Sequence, residues 1–160
     1  MKKFIRQNPE EAIAALLIVI TTVLVLTNVF FRYFLNKGIY WSEEVATNCF
    51  VWAIFIGSAG AYRNGTQLGI DMLVNMLPKT LQKIVKIIVQ LVLFAVNAYI
   101  LYLACIYVDK THKIATSVLG ISSAWVSSSL IVGFGLTTLY TILHLVKMVK
   151  DFPKNTEKEV

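Results

Sequence analysis

The chain has 160 residues, 57% of them apolar and only 15% charged, with a formal net charge of +6. A soluble globular domain carries roughly 25% charged residues, so this composition excludes one. The basic residues lie between apolar runs rather than on one continuous patch, which favours membrane topology over nucleic-acid binding.

Four stretches lack Asp, Glu, Lys and Arg: 12–31, 45–62, 87–108 and 114–143. A transmembrane helix needs about 20 apolar residues. The expected fold is therefore an all-α membrane protein of one domain with four transmembrane helices, at about 10–33, 42–63, 79–108 and 122–148. Eleven Lys and Arg precede the first helix, separate the second from the third or follow the fourth, against four in the other two connectors. The positive-inside rule then places both termini of this multi-pass protein in the cytoplasm.

The start, "MKKFIRQNPEEAIAALLIVI", carries a longer apolar run than a signal peptide and no A-x-A site, so it reads as an uncleaved anchor. Pro9, Glu10 and Glu11 open the first helix, where acids suit the positive end of the helix dipole. Toward its end, Asn28 and Arg32 share a face at i, i+4. Arg32 can snorkel to the outer interface, and Tyr33, Tyr40 and Trp41 fit an aromatic belt there.

"YWSEEVATNCFVW" sets Glu43 and Glu44 at the mouth of the second helix. Ser42 is the expected N-cap, with both acids in the first turn. Adjacent helical residues point about 100° apart, so the two acids do not converge on one ligand. Pairing with Arg32 or Lys37, or docking of a partner, suits their edge position better than proton carriage. Ala53, Gly57 and Ala61, with Gly60 beside them, form a small-residue stripe that permits close helix packing in lipid, within the chain or against a partner.

The cytoplasmic connector "RNGTQLGIDMLVNMLPKT" opens on a turn signal. Its apolar residues recur at helical spacing with Asp71 and Asn75 on the other face, so 70–77 reads as a short amphipathic helix in the interface between the second and third helices. Pro78 starts the third helix, whose Lys79, Lys83 and Lys86 share a face suited to anionic headgroups of membrane lipids. From 81 to 108 it would span about 42 Å, longer than the ~30 Å hydrocarbon core. "IATSVLGISSAW" reads as an outer connector, with the fourth helix starting near Ser122 and carrying a second small stripe, Ser129, Gly133 and Thr137. The polar tail "KDFPKNTEKEV" reads as mobile.

Chemistry is sparse. No Asp, Glu, Lys or Arg lies near the middle of a span, where polarity is limited to Asn48, Gln90, Asn97 and hydroxyls. A coupled carrier uses ionisable groups or broken helices at the midplane. Cys49 and Cys105 have no His at ligand spacing, so they read as small core residues. No nucleophile–base pairing is visible: His112 lies in the outer connector, and His144 at the inner end of the fourth helix is far from Ser58. The expectation is a non-enzymatic subunit with no cofactor of its own.

The order "NVFFRYF", "YWSEE", "FVWAIFIGSAGAYRNGTQLGIDML" and "LP" resembles the small membrane subunit, the DctQ family, of tripartite ATP-independent periplasmic (TRAP) transporters. The matching residues are Asn28, Arg32, Tyr33, Trp41, Glu43, Glu44, Trp52, Gly57, Ala59, Arg63, Gly65, Asp71 and Pro78, within 28–80, with a further likeness at "LGISSAW". Two departures are Gln67, where the family often has His, and the absence of a Pro near Leu130 or Ile131. Gln67 argues against imidazole chemistry at that position.

The resemblance implies a scaffold subunit. It would pair with a large membrane subunit that holds the substrate and sodium sites, fed by a periplasmic solute-binding protein that delivers a small organic acid of dicarboxylate or sialic-acid type. It also makes Asn28, Arg32, Tyr33, Trp41, Glu43, Glu44, Trp52, Gly57, Gly60, Arg63 and Asp71 the candidate assembly residues. The alternative is a self-contained four-helix exporter or channel acting as a homodimer. Small multidrug carriers of that kind need a Glu in the middle of the first helix, whereas Glu10 and Glu11 sit at its start.

Overall fold

The computed structural model describes residues 8–64 and 78–156. Four helices run α1 (Pro9–Phe34), α2 (Tyr40–Arg63), α3 (Lys79–Thr111) and α4 (Ala124–Thr156). Each is long and apolar enough to cross a membrane. The expected interfacial helix at 70–77, with Gly65, Gln67 and Asp71, lies outside the described residues.

Pro9 at the start of α1 needs no donor of its own, and Glu10 and Glu11 fill the first turn. The chain turns at Asn36, the only non-glycine residue with positive φ among the described ones, at 51°. Asn tolerates the left-handed region because its short side chain bonds locally. The amides of Leu35 and Lys37 both donate to the Phe31 carbonyl, at 3.0 and 3.4 Å.

The second helix begins two residues before its expected cap. Its N-cap is Ile39 in extended backbone, with no side-chain cap. Ser42 is instead buried, and its hydroxyl donates to the Leu24 carbonyl of α1 at 3.2 Å. The expectation fails because the hydroxyl faces a neighbouring helix, where a backbone carbonyl is its best acceptor. The capping task passes to Asn28, whose Oδ1 accepts the Ile39 N–H at 2.7 Å.

The connector before α4 is more ordered than its composition implies. Ala115 and Ser122 form an isolated antiparallel bridge. The Thr116 and Ser123 amides donate to the Ile121 and Ile114 carbonyls, each at 2.8 Å. Gly120 at φ 65° makes the turn with open space around it. The α4 helix therefore starts at Ala124 rather than Ser122, whose hydroxyl accepts the Ala124 amide at 3.3 Å. It continues through Thr156, past the point where a mobile tail was expected. A helix leaving the membrane needs only its backbone bonds, not an apolar stripe.

The helices stand in a row, α1–α2–α4–α3: α1 packs on α2, α2 on α4 and α4 on α3. Among the described residues α1 and α3 make no backbone contact, so the row is open rather than closed into a bundle. Its seams are built from small residues. The buried hydrophobic side chains among those described are all alanine (Ala46, Ala53, Ala59 and Ala104), while many large apolar side chains are exposed. Lipid solvates Leu as well as protein does, so close approach of small residues holds helices together in a bilayer.

A Cβ on Gly57 would stand 3.2 Å from the Ala14 Cβ, and one on Gly60 3.2 Å from the Glu10 Cβ, so this stripe packs on α1. A Cβ on Gly133 would meet the Phe55 Cβ at 2.7 Å, so the second stripe packs on α2. Ring pairs extend that seam: Phe55 with Phe134 at 5.9 Å and Trp52 with Trp125 at 6.0 Å between centroids.

Candidate functional site: polar anchors at the two ends of the row

The α1–α2 turn and the 112–123 connector lie at one end of the row. Asn28 is buried there. Its Nδ2 donates to Glu43 Oε1 at 3.0 Å while its Oδ1 holds the Ile39 amide. Glu44 faces the other way: its Oε2 accepts the backbone amides of Val118 and Leu119 at 3.0 and 3.3 Å. The two acids thus diverge, as helical geometry requires. Glu43 ties α2 to α1, and Glu44 ties α2 to the connector before α4.

Among the described residues neither acid forms an ion pair with Arg32 or Lys37, so the ion-pair alternative of the expectation fails. The amide of Asn28 reaches Glu43 first, while Arg32 lies one turn further along α1 and is exposed. Tyr33, Tyr40 and Trp41 are exposed, at 78%, 77% and 51%, as an interfacial belt requires.

The opposite end holds a cluster that the sequence reading missed. Arg63, the last residue of α2, pairs with Glu10 of α1 at 2.7 Å and donates to Asn8 Oδ1 at 2.8 Å. The Tyr140 hydroxyl of α4 donates to Glu10, and the Asn64 amide donates to Glu11. Glu10 therefore does more than face the α1 dipole: it joins the start of α1 to the end of α2 and the body of α4. The charge count already put 10–11 and 63 on one side of the membrane, but their pairing across 53 residues was not visible in the sequence.

Beside this clasp, Gln90 of α3 is buried and donates to the Tyr62 hydroxyl at 2.9 Å and to the Thr141 carbonyl at 3.4 Å. Thr141 also donates to Tyr62, at 2.9 Å, and His144 sets its ring edge-on to Tyr62. A buried amide demands partners, and α2 and α4 supply them. The stray polar residue in an apolar run was the signal, although the sequence did not name its partners. Asn97 satisfies itself on the Leu93 carbonyl at 2.8 Å.

The candidate residues thus divide. Asn28, Glu43, Glu44, Gly57, Gly60 and Arg63 are engaged within the chain, and Trp52 stacks against α4. Arg32, Tyr33 and Trp41 remain on the surface. Lys86 is half-buried on α3, and the side chains of Lys79 and Lys83 lie outside the described ones. Among the described residues no group of three or more His, Cys, Asp or Glu converges. The polar chemistry on view joins helices.

The profile of the DctQ component of tripartite ATP-independent periplasmic transporters matches residues 21–151. The chain belongs to that family. It is 28% identical over 148 residues to a TRAP transporter small permease protein of Haemophilus influenzae, covering 92% of this chain and 88% of that one. It is 26% identical over 152 residues to the sialic acid TRAP transporter small permease protein SiaQ of Vibrio cholerae, covering 93% and 88%. A shorter match, 31% over 75 residues, covers 47% of this chain and 32% of the C4-dicarboxylate small permease protein DctQ of Vibrio cholerae. The fold and the family agree on a multi-pass membrane protein that is a transporter permease subunit.

Proposed function

We propose that this TRAP small subunit is a static scaffold. It pairs with the large membrane subunit for sodium-coupled uptake of a small organic acid delivered by a periplasmic binding protein. Sodium and substrate bind in the large subunit, and this chain takes no cofactor. Relatives are named for both sialic acid and C4-dicarboxylates, so the solute class is an acid of one of these kinds.

One observation carries the reading. The polar side chains of Gln90 and Asn97 inside the described spans bond within the chain, and the described charged residues sit toward the ends of the spans. An element that moves ions needs ionisable groups at depth, whereas one that resists motion needs stiff seams and end clasps. The open row also leaves both edge helices, α1 and α3, with apolar flanks for a partner or for lipid. Arg32, Tyr33 and Trp41 are surface residues available for assembly.

Affinity purification from detergent-solubilised membranes tests the pairing. The tagged chain should retain the co-expressed large subunit at one-to-one stoichiometry, and recovery of the chain alone or as a homodimer would contradict it. In this reading both termini face the cytoplasm. A single cysteine at position 37 should react with an impermeant maleimide from the periplasm, and one at position 155 only after the inner face is opened. The reverse pattern would invert the topology.

A further inference from the structure

At the hairpin end of the α1–α2 seam, three cavities run into one another. The first, of about 650 Å3, is lined by Arg32, Tyr33, Tyr40 and Glu43. The second, about 120 Å3, shares Arg32 and Glu43 and adds Val25 and Val29. The third, about 400 Å3, shares Val25 and Glu43 and continues along Thr21, Ala46 and Phe50. The result is a groove with a charged, aromatic mouth and an apolar floor. Its first chamber alone falls within the roughly 300–1,000 Å3 of small-ligand pockets.

The two charges at the mouth are not used up by the fold. Among the described residues Arg32 forms no ion pair, and Glu43 spends only Oε1, on Asn28. Arg32 and Glu43 present one cation and one anion side by side at a helix end, the level of a bilayer headgroup. Below them the groove follows α1 from residue 32 to residue 21. That is about 16 Å at ~1.5 Å per residue, about half of the ~30 Å hydrocarbon core, and so the depth of one acyl chain.

We propose that this groove holds one phospholipid with a zwitterionic headgroup of the phosphoethanolamine type. The Arg32 guanidinium takes the phosphate in a charge-assisted, fork-shaped contact. The free carboxylate oxygen of Glu43 takes the ammonium. Tyr33 and Tyr40 flank the headgroup, and one acyl chain lies along Val25, Val29 and Phe50. An anionic lipid without an ammonium would face Glu43 unfavourably, and a quaternary ammonium offers it no hydrogen bond. The site needs no assumption about which face of the membrane it occupies.

Native mass spectrometry of the full-length chain tests this, after exchange into micelles containing phosphatidylethanolamine, phosphatidylglycerol and phosphatidylcholine in equal amounts. One phosphatidylethanolamine per chain should be retained in preference to the other two. Arg32→Gln should weaken that retention about tenfold, the scale of one charge-assisted contact. Glu43→Gln, which keeps an acceptor for Asn28, should abolish the preference for phosphatidylethanolamine over phosphatidylglycerol. Val29→Trp, on an outward-facing position, should block the groove and lower retention of every lipid. Circular dichroism of each variant should match the parent, so that loss of lipid is not loss of fold.

Retention unchanged in Arg32→Gln and Val29→Trp would mean ordinary boundary lipid and would overturn the proposal. Inorganic phosphate that competes off the lipid and still binds Val29→Trp would make this a free-anion site, which also overturns it. So would disappearance of the lipid when the large subunit is present, because a protein segment would then fill the groove.

Discussion

Gly133→Ala should loosen the α2–α4 seam enough to lower the thermal midpoint of the purified chain by about 4–8 °C. The added methyl would stand 2.7 Å from the Phe55 Cβ and 3.1 Å from its carbonyl oxygen. Neither atom is the far end of a flexible side chain, so the backbones must part. Overpacking of this kind costs about 1–3 kcal/mol; at the upper end, less the ~1 kcal/mol that any mid-helix Gly→Ala gains in helix propensity, about 2 kcal/mol remains, and each kcal/mol moves the midpoint of a chain of this size by about 2–4 °C. Gly135→Ala is the matched control. A Cβ there meets nothing within 4 Å, and replacing a mid-helix glycine by alanine gains about 0.8–1 kcal/mol in helix propensity. The two substitutions, two residues apart on α4, should shift the midpoint in opposite directions. Equal shifts would mean that the seam does not depend on close approach at Gly133.

The second large effect is expected at the clasp. Arg63→Ala strips Glu10 of its cation, and the Glu10 side chain is only 12% exposed. Removing one partner of a buried pair costs about 3–5 kcal/mol because the remaining charge is left uncompensated. Neither side chain is fully buried, at 24% exposed for Arg63 and 12% for Glu10, so the cost should fall between that range and the ~0–1 kcal/mol of a surface pair, at about 1–3 kcal/mol. Glu10→Gln should cost less, since the amide oxygen still accepts from Tyr140 and the charge left without its counter-ion, on Arg63, is the more exposed of the two and keeps its bond to Asn8. The exchange Glu10→Arg with Arg63→Glu should recover part of the loss relative to either single reversal, in a thermal-shift series at fixed detergent. Additive losses in the double variant would show that the pair is not coupled.

These two sites mark how much could be read without coordinates. The four spans were legible because bilayer thickness fixes the length of an apolar run, and α1 opens at Pro9 as its residues imply. The small-residue stripes were legible as contact surfaces, but their partners were not. Spacing places Gly57 and Gly133 on stripes; it does not say that one meets Ala14 and the other Phe55. The row order α1–α2–α4–α3 is likewise a property of seams between distant segments.

Ser42 shows the limit most clearly. Its local pattern fits an N-cap, yet burial against Leu24 gives its hydroxyl a different acceptor, and Asn28, 11 residues before Ile39, does the capping. Glu43 and Glu44 were rightly expected to diverge. Their partners, a side-chain amide on α1 and two backbone amides in the 112–123 connector, replace the basic residues that simple charge matching selects. Tertiary contacts overrode local chemistry at each of these positions.

The decisive measurement is solute uptake into proteoliposomes carrying an inward sodium gradient, with sialic acid and a C4-dicarboxylate as the labelled solutes. The purified chain alone should give no uptake above empty vesicles. The same chain with its large subunit and binding protein should give sodium-dependent uptake of one of the two acids. Variants at the Gly133 seam or the Arg63 clasp should lower that rate in proportion to lost assembly, without changing its sodium dependence. Sodium-driven uptake by this chain alone, or a clasp variant that assembles fully yet loses sodium coupling, would contradict the scaffold role.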